Sequence, residues 1–288
     1  MDILKTVRKL EIRTRRLVEG LLQGAYHSVF KGRGIEFSEV REYMFGDDIR
    51  SIDWNVTARL NEPYVKEYIE ERDLTMYIVF DMSGSSAFGM KKAKKQAAAE
   101  LAASLMFAAV RNNDNAGLLM FSTEVERYLP PRKGRKHVLK LIRELVHHSP
   151  KNKGTDISRA LQFLSKVAKK RSIVFIMSDF MDEGYEKSLR ILSRRHDCIA
   201  INLRDLREYE IPDVGYIQLE DEESGEQMLV DTSDPEFQAN YEELVKESGN
   251  RLKNSMRKIK VDMIDVRSDE PFELPLRRFF HMRARRMR

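Results

Sequence analysis

Two patterns of apolar residues alternate along most of the chain. The first is a short unbroken run: LTMYIVF at 74–80, AGLLMFS at 116–122, SIVFIMS at 172–178, CIAINL at 198–203 and VDMIDV at 261–266. Runs of this length, bounded by turn residues, predict strands buried on both faces. The second pattern spaces apolar residues three and four apart and predicts helices. It covers KKAKKQAAAELAASLMFAAV at 91–110, GRKHVLKLIRELVHH at 134–148, ISRALQFLSKVAKK at 157–170, YEKSLRILSRRH at 185–196 and the stretch 231–259. The last of these starts with Ser233 or Asp234 as cap and Pro235 in its first turn. VERYLP at 125–130 can fold back on the strand before it, and 216–231 reads as a hairpin with an acidic turn around Ser224 and Gly225. Strands alternating with helices predict an α/β fold: a doubly wound, mostly parallel sheet with helices on both faces, Rossmann-like in plan.

The flanks follow other rules. Residues 1–22 place Ile3, Val7, Leu10, Leu17, Leu21 and Leu22 near helical spacing, which predicts an amphipathic helix. REYMFGDDIRSIDWNVTARL at 41–60 mixes Arg, Asp and aromatic residues with little periodicity and predicts short strands and turns. Its charges suggest a network in which Arg41, Arg50 and Arg59 pair Asp47, Asp48 and Asp53 around Trp54; if buried, it must be complete, because an unpaired buried charge is costly. The expected organisation is an N-terminal helical and irregular extension over 1–73, the α/β domain over 74–266 and a basic tail over 267–288.

Charge adds to this picture. The net charge of +5 conceals an uneven distribution, since residues 277–288, RRFFHMRARRMR, hold six arginines and no acid. The body between 36 and 276 is mildly acidic. The tail reads as a packed or frayed terminal segment with solvated arginines, or as a surface for an anionic partner such as nucleic acid. No run of about 18 apolar residues could span a membrane, and charges break up the first twenty residues too often for a secretory signal. The single cysteine, Cys198, excludes an internal disulfide; in the run CIAINL it reads as a buried, inert thiol. Together these features predict a cytoplasmic protein.

Candidate chemistry gathers where strands end. Asp81, Ser83 and Ser85 follow the strand LTMYIVF in the sequence DMSGS; Thr155 sits in a Gly-Thr-Asp loop before a helix; Asp179 follows SIVFIMS. In a doubly wound sheet, ligands bind beyond the carboxyl ends of the strands, where the strand order reverses. If these two strands flank that point, Asp81 and Asp179 face each other there and three loops converge. Two carboxylates and three hydroxyls suit one hard divalent cation, Mg²⁺ first, with Mn²⁺ or Ca²⁺ as alternatives. Such a mostly neutral donor set leaves the metal positive enough to attract an Asp or Glu carboxylate from a partner protein.

DMSGS, the later GTD and the still later SDF resemble, in order and approximate spacing, the metal-ion-dependent adhesion site of von Willebrand factor A domains. The resemblance spans about residues 74–266. Upstream, Arg41, Tyr43, Gly46, Asp47, Arg50, Ile52, Asp53 and Trp54 stand as in the signature of the bacterial domain-of-unknown-function 58 family, in which such a block precedes a von Willebrand A-like domain. That resemblance implies a protein-binding adaptor working with a MoxR-type AAA+ ATPase, gripping an acidic residue of its partner through the metal.

Other readings fare less well. A haloacid dehalogenase-type phosphatase needs Asp where Ser83 stands. Gly84-Ser85-Ser86-Ala87-Phe88 lacks the closing glycine of a nucleophile elbow. No Walker A sequence is present, and the six histidines lack zinc-ligand spacing. No catalytic residue is assigned. A metal-assisted hydrolase remains the alternative, although no general base accompanies the site; a nucleic-acid role would rest on the arginine tail alone. Lys91, Lys92, Lys94 and Lys95 open the helix after DMSGS. They oppose its macrodipole and read as a solvated face, or as a source of positive potential for an acidic ligand.

Overall fold

The computed structural model describes residues 10–12, 26, 29, 36–69, 74–83, 91–152, 154–205, 211, 213–220 and 227–286. Within the amphipathic segment predicted over 1–22, residues 10–12 are helical; the rest of it, the acidic turn at Ser224–Gly225 and Ser85 lie outside the described residues. The chain forms two compact units, one of residues 30–74 and one of 1–29 with 75–288.

In the smaller unit, β1 (Glu36–Glu42) pairs antiparallel with β2 (Tyr64–Ile69). Between them come a single 3₁₀ turn, Ile49–Ser51, and the helix α1 (Trp54–Leu60). Both are set by capping. Asp48 accepts from the Arg50 amide at 3.0 Å, and Asp53 accepts from the amides of Asn55 and Val56 at 2.9 and 3.3 Å. Asn61 ends α1 in the left-handed region. The prediction of strands and turns missed α1, which buries no residue and so leaves no apolar stripe to read.

The expected charge network is also different. Arg41 forks onto Asp47 at 2.7 and 2.8 Å. That bond, helped by the Met44 amide, lowers the Asp47 carboxyl to about 2. Asp48 and Asp53 serve instead as caps, Asp53 also meets Lys66 at 3.5 Å, and Trp54 is exposed rather than enclosed.

The larger unit is built on six strands: β3 (Thr75–Asp81), β4 (Asn115–Phe121), β5 (Val125–Arg132), β6 (Ile173–Ser178), β7 (Asp197–Arg204) and β10 (Asp262–Arg267). The predicted hairpin of β8 (Tyr216–Glu220) and β9 (Gln227–Asp231) forms a separate ribbon. The sheet order is β10-β7-β6-β3-β4-β5, parallel throughout except for β5, which runs back along β4. The helices are α2 (Lys91–Arg111), α3 (Arg135–His147), α4 (Ile157–Val167), α5 (Glu186–Ser193), α6 (Pro235–Ile259) and α7 (Glu273–Arg286). This is the doubly wound α/β sheet expected from the alternation of strand and helix patterns.

Side chains alternate across the sheet. Tyr77, Val79, Leu119, Val174, Ile176 and Ala200 pack with Ile157, Leu161 and Leu164 of α4, Leu189 of α5 and Met256 of α6. The strands are buried on both faces: Met76, Ile78, Phe80, Leu118 and Met120 are fully or nearly fully buried as well. Cys198 lies among the first group, and burial raises its thiol to about 12, well beyond the range of a reactive thiolate.

The basic C-terminal segment forms α7, which buries Leu276, Phe279 and Phe280, with Phe280 edge-on to Tyr26. Its arginines are not all solvated. Arg283 pairs with Asp197 at the start of β7 and with Asp262 at the start of β10, while also lying over the Phe279 ring. Among the described residues, no helix is long and apolar enough to cross a membrane.

Candidate metal centre

The strand order locates the site. From β3 the chain moves to β4 on one side and later returns to β6 on the other, so β3 and β6 flank the switch point. Loops leaving these two strands diverge to opposite faces and open a crevice at their carboxyl ends. Asp81 is the last residue of β3, and Asp179 follows the last residue of β6. Both are buried, as are Ser83 and Ser178.

Asp81 is held at both oxygens. Oδ1 accepts from the Ser83 amide at 2.9 Å, and Oδ2 accepts from the Ser178 hydroxyl at 2.6 Å. Burial raises its carboxyl to about 6, and the negative charge of Asp179 pushes the same way against the bonds from Ser178 and Ser83. Two carboxylates so placed favour a cation between them. A cation already meets one of them: Lys94 Nζ lies 3.4 Å from Asp179 Oδ2, with both side chains 4% exposed. Phe80, Asp81, Lys94, Ser178 and Asp179 are among the residues lining a cavity of about 30 Å³, room for roughly one water molecule.

The turn after Asp179 is constrained. Phe180 adopts a left-handed φ of 57°, unusual for a bulky side chain. Its amide donates to Ser178 Oγ at 3.1 Å and its buried ring packs 5.7 Å from that of Tyr185. Core burial therefore holds a backbone shape that the residue itself disfavours.

The third loop is stitched to the end of β4 and to the loop after β6. The Asp156 amide donates to Ser122 O at 2.9 Å, just beyond β4, and the Met82 amide donates to Phe121 O at 2.8 Å. On the other side, the Ile157 amide donates to Asp182 Oδ2 at 2.8 Å, in the loop after β6. Gly154 lets this loop lie close, since a Cβ there would stand 2.9 Å from Thr123 Cγ2. Beside it, the covered Glu126 side chain accepts from Ser122 Oγ at 2.7 Å and the Lys151 amide at 3.0 Å, and faces His148 Nε2 at 3.4 Å.

Of the five residues proposed from sequence, Asp81, Ser83 and Asp179 lie on the two strands' ends, and half-buried Thr155 sits in the third loop. Ser85 is outside the described residues. Among the described residues no three His, Cys, Asp or Glu side chains gather at one point. Two buried carboxylates with hydroxyls beside them are a donor set of the kind a hard cation takes when it keeps some of its water.

Sequence reasoning missed Ser178, although a serine closing an apolar strand is a visible signal. It also read Lys94 as part of a solvated face. Lys94 instead shares a helical stripe with Ala98, Leu101 and Leu105, all buried, and that spacing was available to find it.

The family model described as "Protein of unknown function DUF58" matches residues 39–251. The uncharacterized protein Rv1480 of Mycobacterium tuberculosis is 33% identical over 223 residues, covering 76% of this chain and 70% of that protein. Among solved structures, an aerotolerance-related membrane protein from Bacteroides fragilis aligns over 74% of this chain and 100% of its own at 15% identity, with a TM-score of 0.45. Proximal thread matrix protein 1 from the mussel byssus, with its MIDAS motif occupied by zinc, aligns over 45% of this chain and 37% of its own at 20% identity, with a TM-score of 0.37.

Proposed function

The chain belongs to the DUF58 family, and we propose that it is a metal-dependent protein-binding module. In this reading Asp81, Ser83, Ser85, Thr155 and Asp179 hold one divalent cation, Mg²⁺ in the first place, and a carboxylate of the partner completes its coordination. The observation that carries the reading is the pair of buried carboxylates, Asp81 and Asp179, at the ends of adjacent parallel strands flanking the switch point. The metal would supply positive charge at the crevice. The protein's own part is to orient Asp81 through Ser83 and Ser178, to keep water from the carboxylates by burial, and to bring up the Thr155 loop.

The partner proposed is a MoxR-type AAA+ ATPase, on the strength of the resemblance of the Arg41–Trp54 block and the adhesion-site motif to that family's pattern. The compartment proposed is the cytoplasm.

The test is recovery of such an ATPase by the immobilised full chain, in Mg²⁺ or in EDTA, with wild type and Asp81→Ala. Recovery that needs both metal and Asp81 supports the proposal. Equal recovery under all four conditions overturns it. In parallel, millimolar Mg²⁺ or Mn²⁺ should raise the melting temperature of the wild type and not of Asp81→Ala, since a ligand that binds only the folded state stabilises it.

A further inference from the structure

The crevice already contains a positive charge. Lys94 Nζ sits against Asp179 Oδ2, both side chains are almost fully buried, and Lys94 lines the same small cavity as Asp81, Ser178 and Asp179. The position is not one a lysine takes by default. It lies on the buried stripe of α2 and in the first turn of that helix, where a cation opposes the helix dipole. What offsets burial and dipole is the negative charge of Asp179.

We propose that Lys94 is a tethered counter-ion occupying the cation position of the centre, and that a divalent metal enters only by displacing its ammonium. This rests on the metal-binding reading and deepens it. The cavity beside the ammonium is small, about 30 Å³, and two cations sharing one buried carboxylate repel each other. Entry of the metal is therefore an exchange: the ion takes the Asp179 oxygen and the ammonium leaves it on a flexible four-carbon stem. The neighbouring Lys95 is exposed, so the route from this part of α2 to solvent is short. Two consequences follow. Without metal, Lys94 keeps the carboxylate pair compatible with a folded core. With metal, affinity is lowered by the competition, so the centre binds its ion weakly until a partner carboxylate adds to the coordination.

The experiment titrates Mn²⁺ into the full chain and reads free Mn²⁺ by electron paramagnetic resonance, for wild type, Lys94→Met, Lys94→Arg and Asp81→Ala. Lys94→Met keeps the volume and removes the charge, and should bind Mn²⁺ at least tenfold more tightly than wild type. Lys94→Arg should bind no more tightly than wild type. Equal affinity in wild type and Lys94→Met, both weakened by Asp81→Ala, overturns the role of Lys94 and leaves the metal site standing. Weaker binding by Lys94→Met also overturns it. Binding by none of the proteins overturns both readings. A second measurement needs only the wild type: Lys94 should resist amine-reactive labelling without metal and become labelled at saturating Mn²⁺, read by peptide mass spectrometry. Protection unchanged by metal overturns the exchange.

Discussion

Glu126 is the residue whose removal should loosen the centre without touching it. Its side chain is covered and serves three groups: the Ser122 hydroxyl, the Lys151 amide and the His148 ring. Burial by itself would raise its carboxyl, yet these partners together hold it below its ordinary 4.5. Glu126→Ala strands the buried Ser122 hydroxyl, at about 1–3 kcal/mol for a buried group left unsatisfied, while water can reach the exposed Lys151 amide, so the total loss should be about 2 kcal/mol. Glu126→Gln keeps the shape and one acceptor oxygen and should lose about 1 kcal/mol, the difference between a charge-assisted and a neutral bond.

Denaturant unfolding gives the totals, and hydrogen exchange gives the place: the Lys151 and Asp156 amides should lose protection first, because one bonds Glu126 and the other bonds Ser122 O. The pH dependence has a definite sign. A folded-state value below 4.5 means the stabilisation is present above pH 4.5 and disappears as pH falls through the lower folded value. Glu126→Gln should remove that part of the acid transition. If Glu126→Ala unfolds within about 0.5 kcal/mol of wild type, the range of an ordinary surface change, and exchange at 151–156 is unchanged, this network does not hold the Thr155 loop.

Other positions give independent checks. Arg283→Met removes a side chain that is 13% exposed and pairs Asp197 and Asp262; it should cost about 2 kcal/mol, less than a fully buried pair, and a thermal midpoint equal to wild type would refute the docking of α7. His196 is buried with no hydrogen-bond partner at either ring nitrogen among the described residues, and burial, with Arg195 and Arg171, lowers it from 6.5. The unfolded chain therefore takes up the proton first as pH falls below 6.5, stability drops from there down to the lower folded value, and His196→Gln should flatten that slope; an unchanged slope would exclude His196 as its source. Gly154→Ala places a methyl group 2.9 Å from Thr123 Cγ2 and should destabilise by about 1 kcal/mol, as overpacking does, while weakening Mn²⁺ binding; unaltered binding would separate this loop from the metal.

Most of the fold is legible in the sequence because burial on both faces leaves a simple signature. SIVFIMS has no polar residue between its two serines since β6 is buried along its whole length, and ISRALQFLSKV shows its one apolar stripe because only one side of α4 meets the sheet. The small unit is legible only in part. Its helix α1 depends on the caps Asp53 and Asn61 and buries nothing, so periodicity has nothing to report there. For the site, the sequence placed Asp81 and Asp179 at strand ends, and it gave no sign of the bond from Ser178. It did not reveal that Asp48 and Asp53 bond backbone amides rather than arginines, because capping and ion pairing use the same residue types.

The sequence by itself determined most of the strands and helices of the larger unit and that aspartates end two of the strands, since these follow from local periodicity and from turn-forming residues. Only the tertiary structure decided that β3 and β6 are neighbours at the switch point, because strand order depends on which side each crossover returns. It also decided that Ser178 bonds Asp81, that Glu126 and Asp182 tie down the Thr155 loop, and that Lys94 meets Asp179 across 85 positions of sequence. A lysine on a helix is ordinarily solvated. Only the depth of this one, and the carboxylate beside it, make it half of a buried ion pair.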